Sequence, residues 1–144
     1  MEDKILYDYL QEVNALLVSV IGRFPVTNNE IDQHFKTVSE LFIKYNTNKL
    51  ILDYRKMIYD QSVLQIVKGP ERIIRYNMND RVYYCAVLFD TQSETYMNYK
   101  LFLAEIDTKI FFGKIKGRYQ IFNEFDSAVE WIKLKAATES SPVS

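Results

Sequence analysis

The chain contains one cysteine, one histidine and four glycines among its 144 residues, and each shortage removes a class of chemistry. A lone cysteine excludes an internal disulfide and any metal site built from cysteines. Cys85 sits within Val82-Tyr-Tyr-Cys-Ala-Val-Leu-Phe89, which reads as a buried strand, so it is expected to be a small core residue rather than a nucleophile. One histidine and one cysteine cannot build a zinc centre without several carboxylates, and the acidic residues here are scattered singly. His34 lies between the apolar positions Ile31 and Phe35 and is expected to be solvated or half-packed. No nucleophile–histidine pairing with a third orienting group is legible. The glycines form neither a Gly-x-x-x-x-Gly-Lys-Ser/Thr loop nor a Gly-x-Gly-x-x-Gly turn, so no phosphate-cradling motif is present. No apolar run approaches the ~18 residues of a membrane span. The opening Met-Glu-Asp-Lys has no apolar signal region, and the expected location is the cytoplasm.

What is present is ordinary for one globular domain. Apolar residues make up 48% and charged residues 26%, and the length suits a single core. The formal net charge is −1, so the bulk balance calls for neither nucleic acid nor an anionic membrane. Eleven tyrosines and nine phenylalanines point to an aromatic core and rim. No basic stripe accompanies them, which argues against a surface for stacking bases.

Periodicity gives the element order. Residues 4–11 alternate loosely as a first strand, 12–15 turn, and 16–23 form a β-branched second strand stopped by Gly22 and Pro25. The short link implies an antiparallel pair. Thr27 and Glu30 are spaced as a capping box, with Val26 and Ile31 as a hydrophobic staple. Ile31, Phe35, Val38, Phe42 and Tyr45 then mark one helical face, and Asn46-Thr-Asn48 ends it. Leu50-Ile-Leu52 reads as a third strand. A second helix is expected from Asp60 or Ser62, kinked at Gly69-Pro70, with Lys68, Arg72 and Arg75 on a wet outer face. Residues 82–89 form a fourth strand. Thr91 and Glu94 make a second capping box for a helix carrying Tyr96, Tyr99, Leu103 and Ile106 and reaching about Phe112. Lys114, Lys116 and Arg118 decorate a turn between Gly113 and Gly117, too sparse for a nucleic-acid surface. Tyr119–Phe122 is the last strand, and Asn123 is expected to cap a final helix with Ala128, Val129, Trp131 and Ile132. Residues 1–135 are one domain, and the polar stretch 136–144 is expected to be a flexible tail. The order β-β-α-β-α-β-α-β-α implies an α/β fold with a mixed sheet of about five strands joined by right-handed crossovers.

One cluster looks like a site. In Lys49-Leu-Ile-Leu-Asp-Tyr-Arg55 a short apolar strand ends in what reads as a charged turn, and Asp60-Gln-Ser62 starts a helix. Together with Gly22 before a polar turn and the ending Ile121-Phe-Asn-Glu-Phe-Asp-Ser-Ala128-Val-Glu-Trp131-Ile132, this pattern resembles the SpoIIAA-like fold. That group holds the STAS domains and small bacterial proteins classed near the lipid-binding CRAL-TRIO domains. The resemblance covers residues 4–133. It implies a phosphorylatable serine: anti-anti-sigma STAS proteins carry Asp-Ser-Ser-Gly at the corresponding helix start, and Asp60 and Ser62 match that spacing. Gln61 and Val63 depart from it, and an alternative for Ser62 or Asp60 is simple helix capping.

The resulting expectation is a non-catalytic binding or regulatory module, without cofactor or metal. Its protein partner or small ligand would meet the carboxyl ends of the strands, lined by Arg55, Lys56, Asp60, Ser62, Asp90 and Thr91. The alternative that the CRAL-TRIO likeness implies is a carrier of an apolar ligand, with Ile58, Tyr59, Tyr96 and Tyr99 around its pocket. The helix bearing Trp131 and the opening strand pair are the two surfaces expected for a homodimer.

Overall fold

A computed structural model describes residues 3–23, 27–58, 82–90, 92, 94–114 and 116–140. Along them run β1 (Lys4–Leu10), β2 (Ala15–Arg23), α1 (Asn28–Tyr45), β3 (Lys49–Ile58), β4 (Tyr84–Leu88), α2 (Glu94–Phe111), β5 (Arg118–Phe122) and α3 (Phe125–Ser140). The strands form one five-stranded sheet in the order β1-β2-β3-β4-β5. β1 pairs with β2 antiparallel, and every later pair is parallel. This is the mixed α/β sheet with an antiparallel opening that the sequence predicts. The expected helix over 60–75 and its basic face lie outside the described residues, as does Val26 of the expected staple.

The sheet is covered unequally. On one face Leu16, Val18 and Val20 of β2, Leu50, Leu52 and Tyr54 of β3, and Cys85 and Val87 of β4 form a core with Ile31 and Val38 of α1 and Ile106 of α2. α1 and α2 lie on this same face. Right-handed crossovers into strands added in one direction require that. On the other face Ala15, Ile51, Ala86 and Leu88 meet Ala128 and Ile132 of α3. Three alanines in this smaller core let a helix approach the sheet closely. Cys85 is fully buried, and burial pushes its thiol pKa well up, as expected of a core residue and not a nucleophile.

Local signals account for the helix ends. Thr27 caps α1, accepting from the Glu30 N–H at 3.2 Å and donating to its carboxylate at 2.7 Å. α1 closes at Asn46, in the left-handed region at φ 48°, with the Thr47 N–H bonded to the Phe42 carbonyl at 3.1 Å. α2 closes the same way through Gly113 at φ 73°. There the Lys114 N–H reaches the Lys109 carbonyl at 2.8 Å and the Gly113 N–H reaches Ile110 at 3.0 Å.

Three expectations are corrected. β3 does not stop at Leu52 in a charged turn but continues to Ile58. Ser19 pairs with Asp53 while Ile21 pairs with Lys56, so β3 carries one more residue than β2 across the same stretch. This bulge switches the alternation, and Met57 joins Leu52 and Tyr54 in the same core. A strand whose period changes midway under three charged residues reads as a turn. Second, the final helix is not capped at Asn123. It begins at Phe125, with the Glu124 carbonyl accepting from Ala128 at 3.3 Å. Third, α3 continues through Ser140, so residues 136–140 are helical rather than tail.

Candidate functional site

The carboxyl ends of the parallel strands carry the cluster that the sequence singles out. Asp53 and Arg55 are two residues apart on β3, so their side chains leave the sheet on one side. They chelate. Arg55 donates from Nε to Asp53 Oδ1 and from Nη2 to Oδ2, both at 2.9 Å, and the Arg55 N–H reaches Oδ1 at 3.2 Å. Partial burial disfavours the charged form of Asp53. The Arg55 hydrogen bonds and charge, with Lys56 adding, outweigh this and hold its carboxyl below the ordinary value. The same hydrogen bond raises the Arg55 pKa, to which the charges of Asp53 and Glu124 contribute. The Arg55 side chain is 41% exposed. Three of its five N–H donors lie beyond the chelate.

Lys56 is exposed on the same strand, at the bulge. Asp90 is exposed just past β4, where its Oδ1 accepts from the Gln92 N–H at 3.0 Å. The last β3–β4 pair is Asp53 with Leu88, so Arg55 on β3 and Asp90 just past β4 each lie two residues beyond it. The structure thus brings Arg55, Lys56 and Asp90 to one rim. Asp60, Ser62 and Thr91 lie outside the described residues. Glu124 is the member that sequence reasoning missed. Its signal was the acidic turn Asn123-Glu-Phe-Asp126, read only as a helix start.

Of the expected lipid-pocket residues, Ile58 ends β3 at 47% exposure. Tyr96 packs on the fully buried Phe89, ring centroids 5.5 Å apart, at the margin of the larger core. Tyr59 lies outside the described residues, and Tyr99 is placed on α2 by its backbone. The expected dimer surfaces differ in character. Trp131 is half-buried against Tyr84 and Phe122, whereas β1 is an edge strand with Leu6 at 48% exposure.

His34 is not solvated. It is buried between β1 and α1, its Nδ1 2.8 Å from the Tyr7 hydroxyl. Burial lowers its pKa to about 4 and raises that of Tyr7 to about 12. A neutral imidazole locked this way holds α1 to the edge strand. The contact spans 27 residues of sequence, so no local pattern announces it.

The opposite ends of the strands carry a groove. It encloses about 560 Å³ and runs past edge strand β5, between Asp107 and Ile110 of α2, Arg118 and Tyr119 of β5, and Trp131 and Lys135 of α3. Among the described residues no group of His, Cys, Asp or Glu could hold a metal, and no helix is long and apolar enough to cross a membrane.

Comparison with known proteins identifies the fold. No family model and no curated protein matches the sequence. Among solved structures, the chain is similar to an uncharacterized protein of the DUF3478 family with a SpoIIAA-like fold from Shewanella loihica PV-4. The two superpose with a TM-score of 0.53 at 14% identity, covering 90% of this chain and 93% of that one. The protein has a SpoIIAA-like fold, as the resemblance in its sequence implied.

Proposed function

We propose that this SpoIIAA-like domain is a non-catalytic binding module, acting from the cytoplasm, whose partner meets the rim at the carboxyl ends of its parallel strands. The observation that carries the reading is the Asp53–Arg55 chelate. It fixes an exposed guanidinium in one orientation, with donors to spare, at the edge where open α/β sheets receive ligands. A pre-oriented arginine meets a carboxylate or phosphate with less ordering cost than a free side chain. Lys56 adds positive charge beside it, while Asp90 and Glu124 oppose anions from the flanks. That mixture suits the patterned charges of a protein surface better than a free anion. Reversible phosphorylation at Ser62, which the sequence resemblance implies, belongs to the same regulatory reading.

Affinity capture with the full chain from its native cells tests the proposal. A partner that is retained by the wild type and lost on Arg55→Glu, with thermal stability unchanged, supports it. Equal retention by the variant counts against the rim. Phosphopeptide mass spectrometry of the same material addresses Ser62, and an unmodified Ser62 across growth conditions removes the regulatory part.

A further inference from the structure

The end of the sheet opposite the Arg55 rim carries two bare aromatic rings. Phe111 ends α2 and Phe112 follows it, at 82% and 68% exposure, the two most exposed large aromatic side chains among the described residues. Their rings meet edge to face, 5.1 Å apart at 87°. The backbone beneath them is fixed by the two hydrogen bonds that end α2 at Gly113. The tip is therefore presented on a built turn.

The segment that follows Asp107 is basic. Between Thr108 and Asn123 the chain has four basic residues, Lys109, Lys114, Lys116 and Arg118, and no acidic one, against a net charge of −1 for the whole. Lys114, Lys116 and Arg118 are exposed. Arg118 is aimed by hydrogen bonds from Nη1 to the Lys116 and Gly117 carbonyls at 3.2 and 3.0 Å. Across the groove the end of α3 adds Leu134, 65% exposed, Lys135, whose Nζ lies 5.7 Å from the centre of the Trp131 ring, and exposed Lys133, which is paired with Glu130 at 3.7 Å. Asp107 also lines that groove and disfavours an anion within it, so the attraction is strongest at the tip itself.

We infer that this end of the protein docks on an anionic lipid surface, with Phe111 and Phe112 entering the interface and the flanking lysines and Arg118 meeting the headgroup phosphates. The size of the patch decides among partners. Two phenyl rings offer about 150–250 Å² each. That falls short of the roughly 800 Å² per partner of a stable protein interface, whereas paired aromatic and basic residues are the usual means of holding a protein at a bilayer surface. Perpendicular rings also make a poor platform for successive stacked bases. The inference is independent of the proposed function, since the Arg55 rim lies at the other ends of the same strands and stays open.

Vesicle sedimentation of the full chain tests it. The wild type sediments with phosphatidylcholine vesicles containing phosphatidylserine, stays in solution with phosphatidylcholine alone, and is released by salt. Phe111→Ser with Phe112→Ser lowers partitioning at least about tenfold, as does Lys114→Glu with Lys116→Glu. Both pairs are exposed, so the variants keep the wild-type melting temperature, which serves as the folding control. Failure of the wild type to bind anionic vesicles overturns the inference, as does undiminished binding by the Phe variant. A wild-type dimer that the Phe variant converts to monomer, without vesicle binding, reassigns the tip to self-association and equally overturns it.

Discussion

The two ends of the parallel strands seal the same core and then part company. At the carboxyl end Phe89 is fully buried between Tyr54 and Tyr96, each ring 5.5 Å away. At the amino end Tyr83 fills the equivalent place beside Phe42 and Tyr119, its hydroxyl 2.5 Å from that of Tyr119. Both are aromatic plugs, yet only the second carries a polar tip that must be answered when it is buried. Outside the plugs the contrast is sharper. The carboxyl rim sets acid against base, with Asp53 and Arg55 holding each other. The amino end sets lysines beside uncovered phenyl rings. The lesson is that both ends seal the core with a buried ring, while they differ in how far each answers its own charges.

Truncating a plug should have the largest effect. Phe89→Ala is expected to cost about 3–5 kcal/mol in urea unfolding, because the ring is fully buried and its neighbours are rigid aromatics. A loss below about 1 kcal/mol would mean that this end is looser than its burial implies. The next effect comes from the flank, where His34 serves as a gauge remote from both rims. Its pKa falls from 6.5 unfolded to about 4 folded. Between those values the unfolded chain binds a proton that the native state refuses, so stability declines as pH drops from 6.5 towards 4. The contribution is roughly 3 kcal/mol at about 1.36 kcal/mol per unit. Urea midpoints measured across this window should flatten in His34→Gln; a slope identical to wild type would contradict the buried neutral imidazole.

At the amino end, a Cβ on Gly117 would lie 2.5 Å from the Tyr83 ring. Gly117→Ala is therefore expected to cost about 1–3 kcal/mol by overpacking, and to spare Phe89. A variant as stable as wild type would show that Tyr83 shifts freely and that the two plugs are not comparable. The smallest effect belongs to the rim. Asp53→Asn removes one arm of a chelate whose arginine is 41% exposed, so less than about 1 kcal/mol should be lost. What the pair adds is present above the ordinary carboxylate pKa and disappears as pH falls through the lowered value of Asp53. A larger loss would make the chelate a structural device and weaken its reading as a recognition surface.

The sequence made the scaffold legible where local rules and tertiary demands agree. Thr27 and Glu30 announced α1, and the apolar runs in β2 and β4 announced buried strands. Asp53 and Arg55 stand close in the sequence but read as a turn, because the bulge that keeps them in β3 depends on pairing with β2. Glu124 was passed over because its field reaches Arg55 only once β5 is in place beside β4. The Tyr7–His34 contact was hidden for the same reason. The aromatic tip was hidden differently. Phe111 and Phe112 extend an apolar helical pattern, and only the turn at Gly113 shows that the pattern ends in the open.

Amide hydrogen exchange, with and without vesicles of phosphatidylcholine and phosphatidylserine, tests most directly whether the two ends face different partners. Protection confined to peptides over 109–118 and the end of α3, with peptides over 53–58 unchanged, is the predicted result. Protection over 53–58, or equal protection at both ends, would contradict it.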